Sequence, residues 1–377
     1  MQPAPEGPGA PGARGTEPAR ATRWISIDAL RGFDMFWITG GAGFVAALAA
    51  ATDWTALRWI EAQCEHVEWH GFRLWDLIFP LFLFLAGLSM PLSFAARRAR
   101  GASERELHLH ALRRGATLVA LGVVYNGLLT FDWEHLRYAS VLGRIGLAWM
   151  LAAFCVLRLS LRGQVAVAAG LLLGYWAALA WIPVPGVGAG HLEPGATLTD
   201  WFDRRFLPGR LHRTVRDPEG LLSTLPAVAT ALFGAFTGRW MAATKRDGRR
   251  LLGLVAAGLV ALALGALWHL AFPINKNLWS SSFVLWTAGL SLLLVALFHL
   301  VVDVWGWRRL AFPLVVIGSN SILIYMLQGF VAFDALAELA FASAERRVHP
   351  ALLAGGGVLL RWLFLYALYR RRLFLRV

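Results

Sequence analysis

The densest group of chemically active side chains is Cys64-Glu65-His66-Val67-Glu68-Trp69-His70-Gly71-Phe72-Arg73-Leu74-Trp75-Asp76, which leads from a polar stretch into the apolar run Leu77-Ile78-Phe79-Pro80. A histidine takes and returns a proton near neutral pH, and its ring nitrogen can also carry an acyl group. His66 is a candidate for either role; the plainer reading is a surface histidine making a loop hydrogen bond. His66 and His70 stand at i,i+4, and Glu65, Glu68 or Asp76 could complete a metal site. HxExH is not the HExxH of zinc proteases, however, and no metal is expected. Asp76 lies inside LWDLIFPLFLFLAGL, where a carboxylate is costly unless it faces a cavity or a partner. There it could hold an imidazole in one tautomer, accept a substrate N–H, or pair with Arg144.

Other polar groups punctuate apolar runs. In Ser26-Ile27-Asp28-Ala29-Leu30-Arg31-Gly32-Phe33-Asp34 one arginine can bridge two carboxylates at i,i+3 spacings, or it can contact a phosphate. Arg144, in Val141-Leu142-Gly143-Arg144-Ile145-Gly146, is either a snorkelling arginine or the partner of Asp76. Asp217-Pro218-Glu219-Gly220 reads as a helix start, with Asp217 as N-cap and Pro218 at the first helical position, leaving Glu219 free to face a cavity. Asn275-Lys276-Asn277-Leu278-Trp279-Ser280 offers a cation and two amides, either to a substrate or to a tight turn. Gly318-Ser319-Asn320-Ser321 has the small residues of closely packed membrane helices.

The elements that must position these groups are membrane helices. Of 377 residues 58% are hydrophobic and only 16% charged, and the mean hydropathy is +0.56, outside the range of soluble globular domains. About ten apolar spans are expected, at 27–50, 74–95, 112–130, 141–158, 164–182, 220–241, 251–271, 278–301, 310–329 and 351–369, giving an all-α polytopic membrane bundle of ten to eleven helices. Residues 23–377 read as one transmembrane domain behind a disordered cytoplasmic tail over 1–22, rich in Pro, Gly and Ala and without a signal peptide's apolar core.

The net charge of +13 sits largely in alternate loops, which points to orientation and anionic lipid rather than nucleic acid. One set carries Arg20 and Arg23; Arg97, Arg98, Arg100, Arg105, Arg113 and Arg114; Arg158 and Arg162; Arg239, Lys245, Arg246, Arg249 and Arg250; Arg308 and Arg309; and Arg370, Arg371, Arg372 and Arg376. The other is mixed or acidic, with Asp53, Glu61, Glu65, Glu68, Asp132 and Glu134. The rule puts the first set and both termini in the cytoplasm and His66 outside. The long outer loop 183–219 departs from it, with Arg204, Arg205, Arg210, Arg213 and Arg216 beside Glu193, Asp200 and Asp203. Cys64 and Cys155 define no disulfide framework.

Six segments, in order, resemble the heparan-alpha-glucosaminide N-acetyltransferase family of transmembrane acetyltransferases and its bacterial relatives: SIDALRGFDMF, HVEWHGFRLWDLIFPLFLFLAG, VLGRIG, RDPEGLLSTLPA, NKNLWSSSFV and GSNSILIYM. The resemblance implies an enzyme that takes acetyl from cytosolic acetyl-CoA, as co-substrate, and delivers it to an amino sugar across the membrane. The family's active-site histidine, at the head of HxxWNG, carries over to His66, and the aspartate of DLxFP to Asp76. His70 stands where most members have asparagine before the glycine. Only a short tail precedes the first span where animal members have a luminal domain, so the expected acceptor is an envelope or salvaged amino sugar of a bacterium, in the inner membrane.

The expected site therefore has His66 and Asp76 at its chemical centre, with His66 as acetyl acceptor or general base. Glu68, Trp69, His70, Arg144, Glu219, Asn275, Lys276 and Asn277 are expected toward the substrate, and Arg31 and Asn320 toward the coenzyme. The implied partners are acetyl-CoA, the amino sugar and membrane lipids, with a homodimer left open. A transporter or exporter of sugar conjugates and an envelope O-acyltransferase with a different acceptor are the alternative readings.

Overall fold

The computed structural model describes residues 24–52, 54–341 and 349–375. The tail expected over 1–22, and the loop charges Arg20, Arg23, Asp53 and Arg376, lie outside these residues. Among the described residues the chain is all helix and connection, with no strand: α1 Ile25–Phe36, α2 Ala42–Thr52, α3 Thr55–Gln63, α4 Ile78–Arg98, α5 Glu104–Tyr125, α6 Val141–Arg158, α7 Leu161–Trp181, α8 Leu198–Phe206, α9 Thr224–Ala243, α10 Asp247–His269, α11 Ser281–Phe298, α12 Arg308–Ser319, α13 Ser321–Gln328, α14 Phe333–Phe341 and α15 Pro350–Arg370.

Local sequence explains many of the starts. Ser103 and Glu106 form a reciprocal capping box at α5, and the hydroxyls of Ser140, Ser160 and Ser280 accept the N–H groups of Gly143, Gly163 and Phe283. Seven helical runs among the described residues are long and apolar enough to cross a membrane, and eight if α12 and α13, bent by 61° at their junction, count as one span. The other two expected spans coincide with α5 and α9. Both are long enough, at 22 and 20 residues, but α5 opens with His108, His110, Arg113 and Arg114, and α9 is built from Ala, Thr and Gly. α9 is instead enclosed by the bundle, with Ala227, Val228, Ala229, Ala231, Leu232 and Ala235 buried.

Four pairs dominate the packing: α4 on α9, α1 on α12, α5 on α6 and α10 on α11. In lipid there is no water to expel, so helices associate through close van der Waals fit. The α1–α12 contact shows it best: a Cβ on Gly32 would stand 1.7 Å from the Leu314 carbonyl oxygen, and one on Gly318 2.0 Å from that of Asp28. The small residues of Gly318-Ser319-Asn320-Ser321 thus let two backbones touch.

Connections gather at two ends. At one, Arg137, between α5 and α6, reaches Asp217 and Glu219, between α8 and α9, and Lys276, between α10 and α11, reaches His66, between α3 and α4. At the other, Arg158 Nε lies 2.8 Å from His108 Nε2, His299 Nε2 3.3 Å from Asp247, and Ser26 Oγ 2.5 Å from Asp303. This pairing of alternate loops matches the alternation of charge along the sequence.

Candidate active site

Two loops build the centre. The first, 64–73, leaves α3 and meets the second, 270–280, where Gly71 N–H donates to Ile274 O at 2.8 Å; Gly71 has φ +117°, open to glycine at no steric cost. The second is a tight turn held by its own side chains. Asn275 Oδ1 accepts Leu278 N–H at 2.9 Å, Asn275 N–H donates to Ser280 Oγ at 3.0 Å, and Ser280 N–H returns to Asn275 O at 3.1 Å. The turn reading of Asn275 is therefore met: it is fully buried, its carbonyl shapes the loop, and its amide nitrogen lies 3.2 Å from His70 Nδ1.

Asp76 sits in a single 3₁₀ turn, Leu74–Leu77, that leads into α4. Its carboxylate is 1% exposed and has two separate tasks. Oδ2 accepts Arg73 N–H at 3.1 Å, and Oδ1 stands 2.6 Å from His66 Nδ1. A carboxylate has no proton to give, so Nδ1–H donates and the lone pair of neutral His66 is left on Nε2. Lys276 Nζ stands 2.9 Å from that nitrogen, 3.2 Å from Nδ1 and 3.8 Å from Asp76 Oδ1. Burial lowers the Lys276 pKa, against the opposing charges of Asp76 and Glu219.

His66, Lys276 and Glu219 face a cavity of about 250 Å³ whose remaining wall is apolar: Met35 and Ile38 after the start of α1, Phe82 from α4, Ile145 from α6, and Ile322 and Tyr325 from α13. Trp75 closes one side, its ring centroid 6.3 Å from that of His66. A histidine with one nitrogen pinned and the other beside an amine, at the polar end of an apolar pocket, can move a proton or carry an acyl group.

The other expected residues fall in three groups. Glu219 lines the cavity but is paired with Arg137, which also holds Asp217 through two bonds of 2.8 and 2.5 Å. Trp69 and His70 border the centre: Trp69 Nε1 donates to Leu192 O at 2.7 Å under the Arg216 guanidinium, 4.4 Å from the ring, and burial lowers the His70 pKa. Glu68 is exposed and Asn277 half-buried, and neither lines the cavity.

Two expectations are corrected, the pairing of Arg144 and the helix cap of Asp217. Arg144 does not pair with Asp76; buried at 2% exposure, it donates to Ser223 Oγ and, at 3.2 Å, to Gly220 O, and lies 5.0 Å from the Trp279 ring. Asp217 does not cap a helix at 218. Helix α9 starts at Thr224, and the Asp217 carboxylate instead accepts His212 N–H, Glu219 N–H and Arg137. Burial alone would raise the Asp217 pKa, but the Arg137 guanidinium holds it below the usual carboxylate range. At the far end, Arg31 Nη2 lies 3.0 Å from Ser89 Oγ beside Asp28, and Asn320 uses its amide on the backbone of Leu373 and Leu375, both at 2.9 Å. Asn320 thus ties down the C-terminal segment.

Arg137, Asp203 and Tyr325 are not among the site residues expected from the sequence, where Asp203 figures only as a loop charge and Tyr325 only within GSNSILIYM. Arg137 meets Asp217 across 80 residues, a pairing no local pattern signals. Asp203, on α8, is 1% exposed; its Oδ1 accepts Leu221 N–H at 2.8 Å, and burial pushes its pKa up to about 7. Among the described residues no group of three or more His, Cys, Asp and Glu side chains is arranged to hold a metal ion.

No protein-family model matches the chain. It is similar to the heparan-alpha-glucosaminide N-acetyltransferases of Mus musculus and Homo sapiens, 27% identical to each over 372 aligned positions that take in 83% of this chain and 56% of each relative. The chain thus spans little more than half the length of either, and the likeness runs along most of it rather than through the six motifs alone.

Proposed function

We propose that the chain is a transmembrane acetyltransferase that moves acetyl from cytosolic acetyl-CoA to the amino group of a glucosamine-type sugar on the opposite side of the membrane. The observation that supports this best is the His66–Asp76 pair, with His66 at the polar end of the cavity, on residues through which the sequence resembles the HxxW and DLxFP motifs of the transmembrane acetyltransferase family. Alternating loop charge supports the sidedness: the arginine-rich end faces the cytoplasm, as both termini do, and the His66 end faces out, in a bacterial inner membrane.

Each side chain then has a task. Asp76 fixes the tautomer, so that His66 Nε2 either receives the acetyl group or takes the proton of the acceptor amine. Lys276 is a cation beside the carbonyl carbon under attack, where negative charge develops on oxygen. The apolar wall from Met35 to Tyr325 takes the thioester end of the donor, whose phosphates stay with cytoplasmic arginines such as Arg31. Lipids surround this single domain, and a homodimer is compatible with it.

The test is transfer of labelled acetyl from acetyl-CoA to glucosamine by purified protein in proteoliposomes, with His66→Ala alongside. Transfer that disappears in the variant is expected. Wild-type transfer by His66→Ala overturns the assignment of His66, transfer to a hydroxyl acceptor alone moves the reading to an O-acyltransferase, and sugar flux without coenzyme binding moves it to a transporter.

A further inference from the structure

The chain uses arginine almost everywhere a cation is needed: of 36 Lys and Arg side chains only Lys245 and Lys276 are lysines. Lys245 is exposed between α9 and α10. Lys276 has a side chain 17% exposed and lines the His66 cavity. The hydrogen bonds of Asn275 and Ser280 fix the backbone on both sides of it, and its Nζ stands 2.9 Å from His66 Nε2 and 3.2 Å from Nδ1.

Nζ, at these distances, lies over the face of an imidazole whose Nδ1 is held at 2.6 Å by a buried carboxylate; a swing of the flexible lysine stem onto the Nε2 lone pair brings together a nucleophile, its base and the group that orients the base. In serine hydrolases the nucleophile is a hydroxyl and the acyl product is an ester that water removes. With an amine the product is an amide, which resists hydrolysis far better than an ester or a thioester.

We propose that Lys276 is an internal acetyl acceptor: a donor bound at His66 with no acceptor amine in the cavity acetylates Nζ, leaving a stable amide that closes the site. Neutral Nζ attacks the thioester carbonyl, a C–N bond forms as the C–S bond breaks, and the Nζ proton passes to His66 Nε2 and on to the departing thiolate. Desolvation of Lys276 enlarges the neutral fraction that this step needs. The acetylated side chain has lost the cation beside His66 and carries added bulk into the cavity. Acetylation in the absence of acceptor therefore switches transfer off, and bound acceptor, by occupying the same space, protects the lysine.

The inference rests on the proposed acetyl donor, so the experiment uses two donors. Purified protein in detergent is incubated without sugar, either with acetyl-CoA or with p-nitrophenyl acetate, a small activated ester that needs no coenzyme site, and acetylation of both lysines is followed by peptide mass spectrometry. Lys276 is expected to be marked by both donors at least about 10²-fold faster than Lys245, because only Lys276 has a base beside it. Glucosamine in excess should slow the mark, His66→Gln should abolish its advantage, and loss of transfer should track its extent. Marking of Lys276 by the ester but not by acetyl-CoA supports the lysine relay and refutes acetyl-CoA as donor. Marking of Lys276 no faster than Lys245 with both donors overturns the proposal, and this comparison, made within the wild-type protein, needs no variant to fold.

Discussion

Replacing Asp76 with asparagine removes one charge and no volume, and its effect can be worked from the two bonds the carboxylate makes. Both are acceptor bonds, one to Arg73 N–H at 3.1 Å and one to His66 Nδ1 at 2.6 Å, in a residue 1% exposed. An amide has only one oxygen. If it turns that oxygen to Arg73, its NH₂ faces Nδ1, which must then accept; the imidazole proton moves to Nε2 and the base lone pair is lost. In serine proteases a wrong tautomer of this kind costs about 10⁴ in rate, or roughly 5 kcal/mol of barrier. If instead the oxygen stays on His66, NH₂ opposes Arg73 N–H, an unmet buried donor pair costing about 1–3 kcal/mol. The variant divides between these states, so kcat for acetyl transfer to glucosamine is expected to fall by about 10²–10⁴ while KM for acetyl-CoA stays within about threefold. Initial rates with labelled acetyl-CoA in proteoliposomes measure both. A kcat within about threefold of wild type would refute the argument that Asp76 sets the His66 tautomer.

Three further outcomes follow from the buried groups. Gly32→Ala puts a methyl 1.7 Å from the Leu314 carbonyl oxygen, so α1 and α12 must part, at a cost of about 1–3 kcal/mol or more, read as a lower melting temperature in detergent. Arg137→Leu leaves the Asp217 carboxylate, with no exposed side-chain surface, without its cation; a loss of about 3–5 kcal/mol is expected at neutral pH, shrinking as pH falls and the carboxyls protonate. Asp203 has its pKa raised from 3.8 to about 7, so the folded state binds its proton more tightly than the unfolded chain; that stability is complete below the unfolded pKa and is lost as pH rises toward 7. Asp203→Asn, which does not titrate, should therefore melt higher than wild type above pH 7, by at most about 4 kcal/mol, with the advantage gone near pH 4.

The fold was legible because lipid imposes a coarse rule, about twenty apolar residues per crossing, and the helices fall where the runs do. The run at 220–241 finds α9 as well, although that helix is enclosed by protein rather than lipid and sets small residues against α4. Within the site, His66 and Asp76 stood out through a local anomaly, a carboxylate and an imidazole beside an apolar run. Arg144 stands out for the same reason, but neither alternative open to it, snorkelling or pairing with Asp76, is what the bundle supplies, which is Ser223 and a carbonyl. Arg137 sits in a polar loop and Asp203 on the short helix α8 of the polar stretch 183–219, where charge is ordinary, and only tertiary packing leaves Asp203 buried and Arg137 half-buried against Asp217.

The two broken spans explain why a cavity exists among helices packed this closely. The first run is interrupted at Trp37–Gly41, where Thr39 and Gly40 leave helical geometry, Gly40 has φ +114° and Thr39 Oγ1 returns to Met35 O at 2.9 Å. The ninth is interrupted at Ser319–Asn320, where α13 swings by 61° from α12. Below these breaks α1 and α12 touch through Gly32 and Gly318. At or beyond them their continuations diverge, and the residues that line the pocket, Met35 and Ile38 on one side and Ile322 and Tyr325 on the other, flank the two interruptions. Backbone that leaves the helix is tolerated at membrane depth only where protein or a cavity receives it. The two breaks therefore border the apolar space next to His66, and the Asn275 turn carries Lys276 to its polar end.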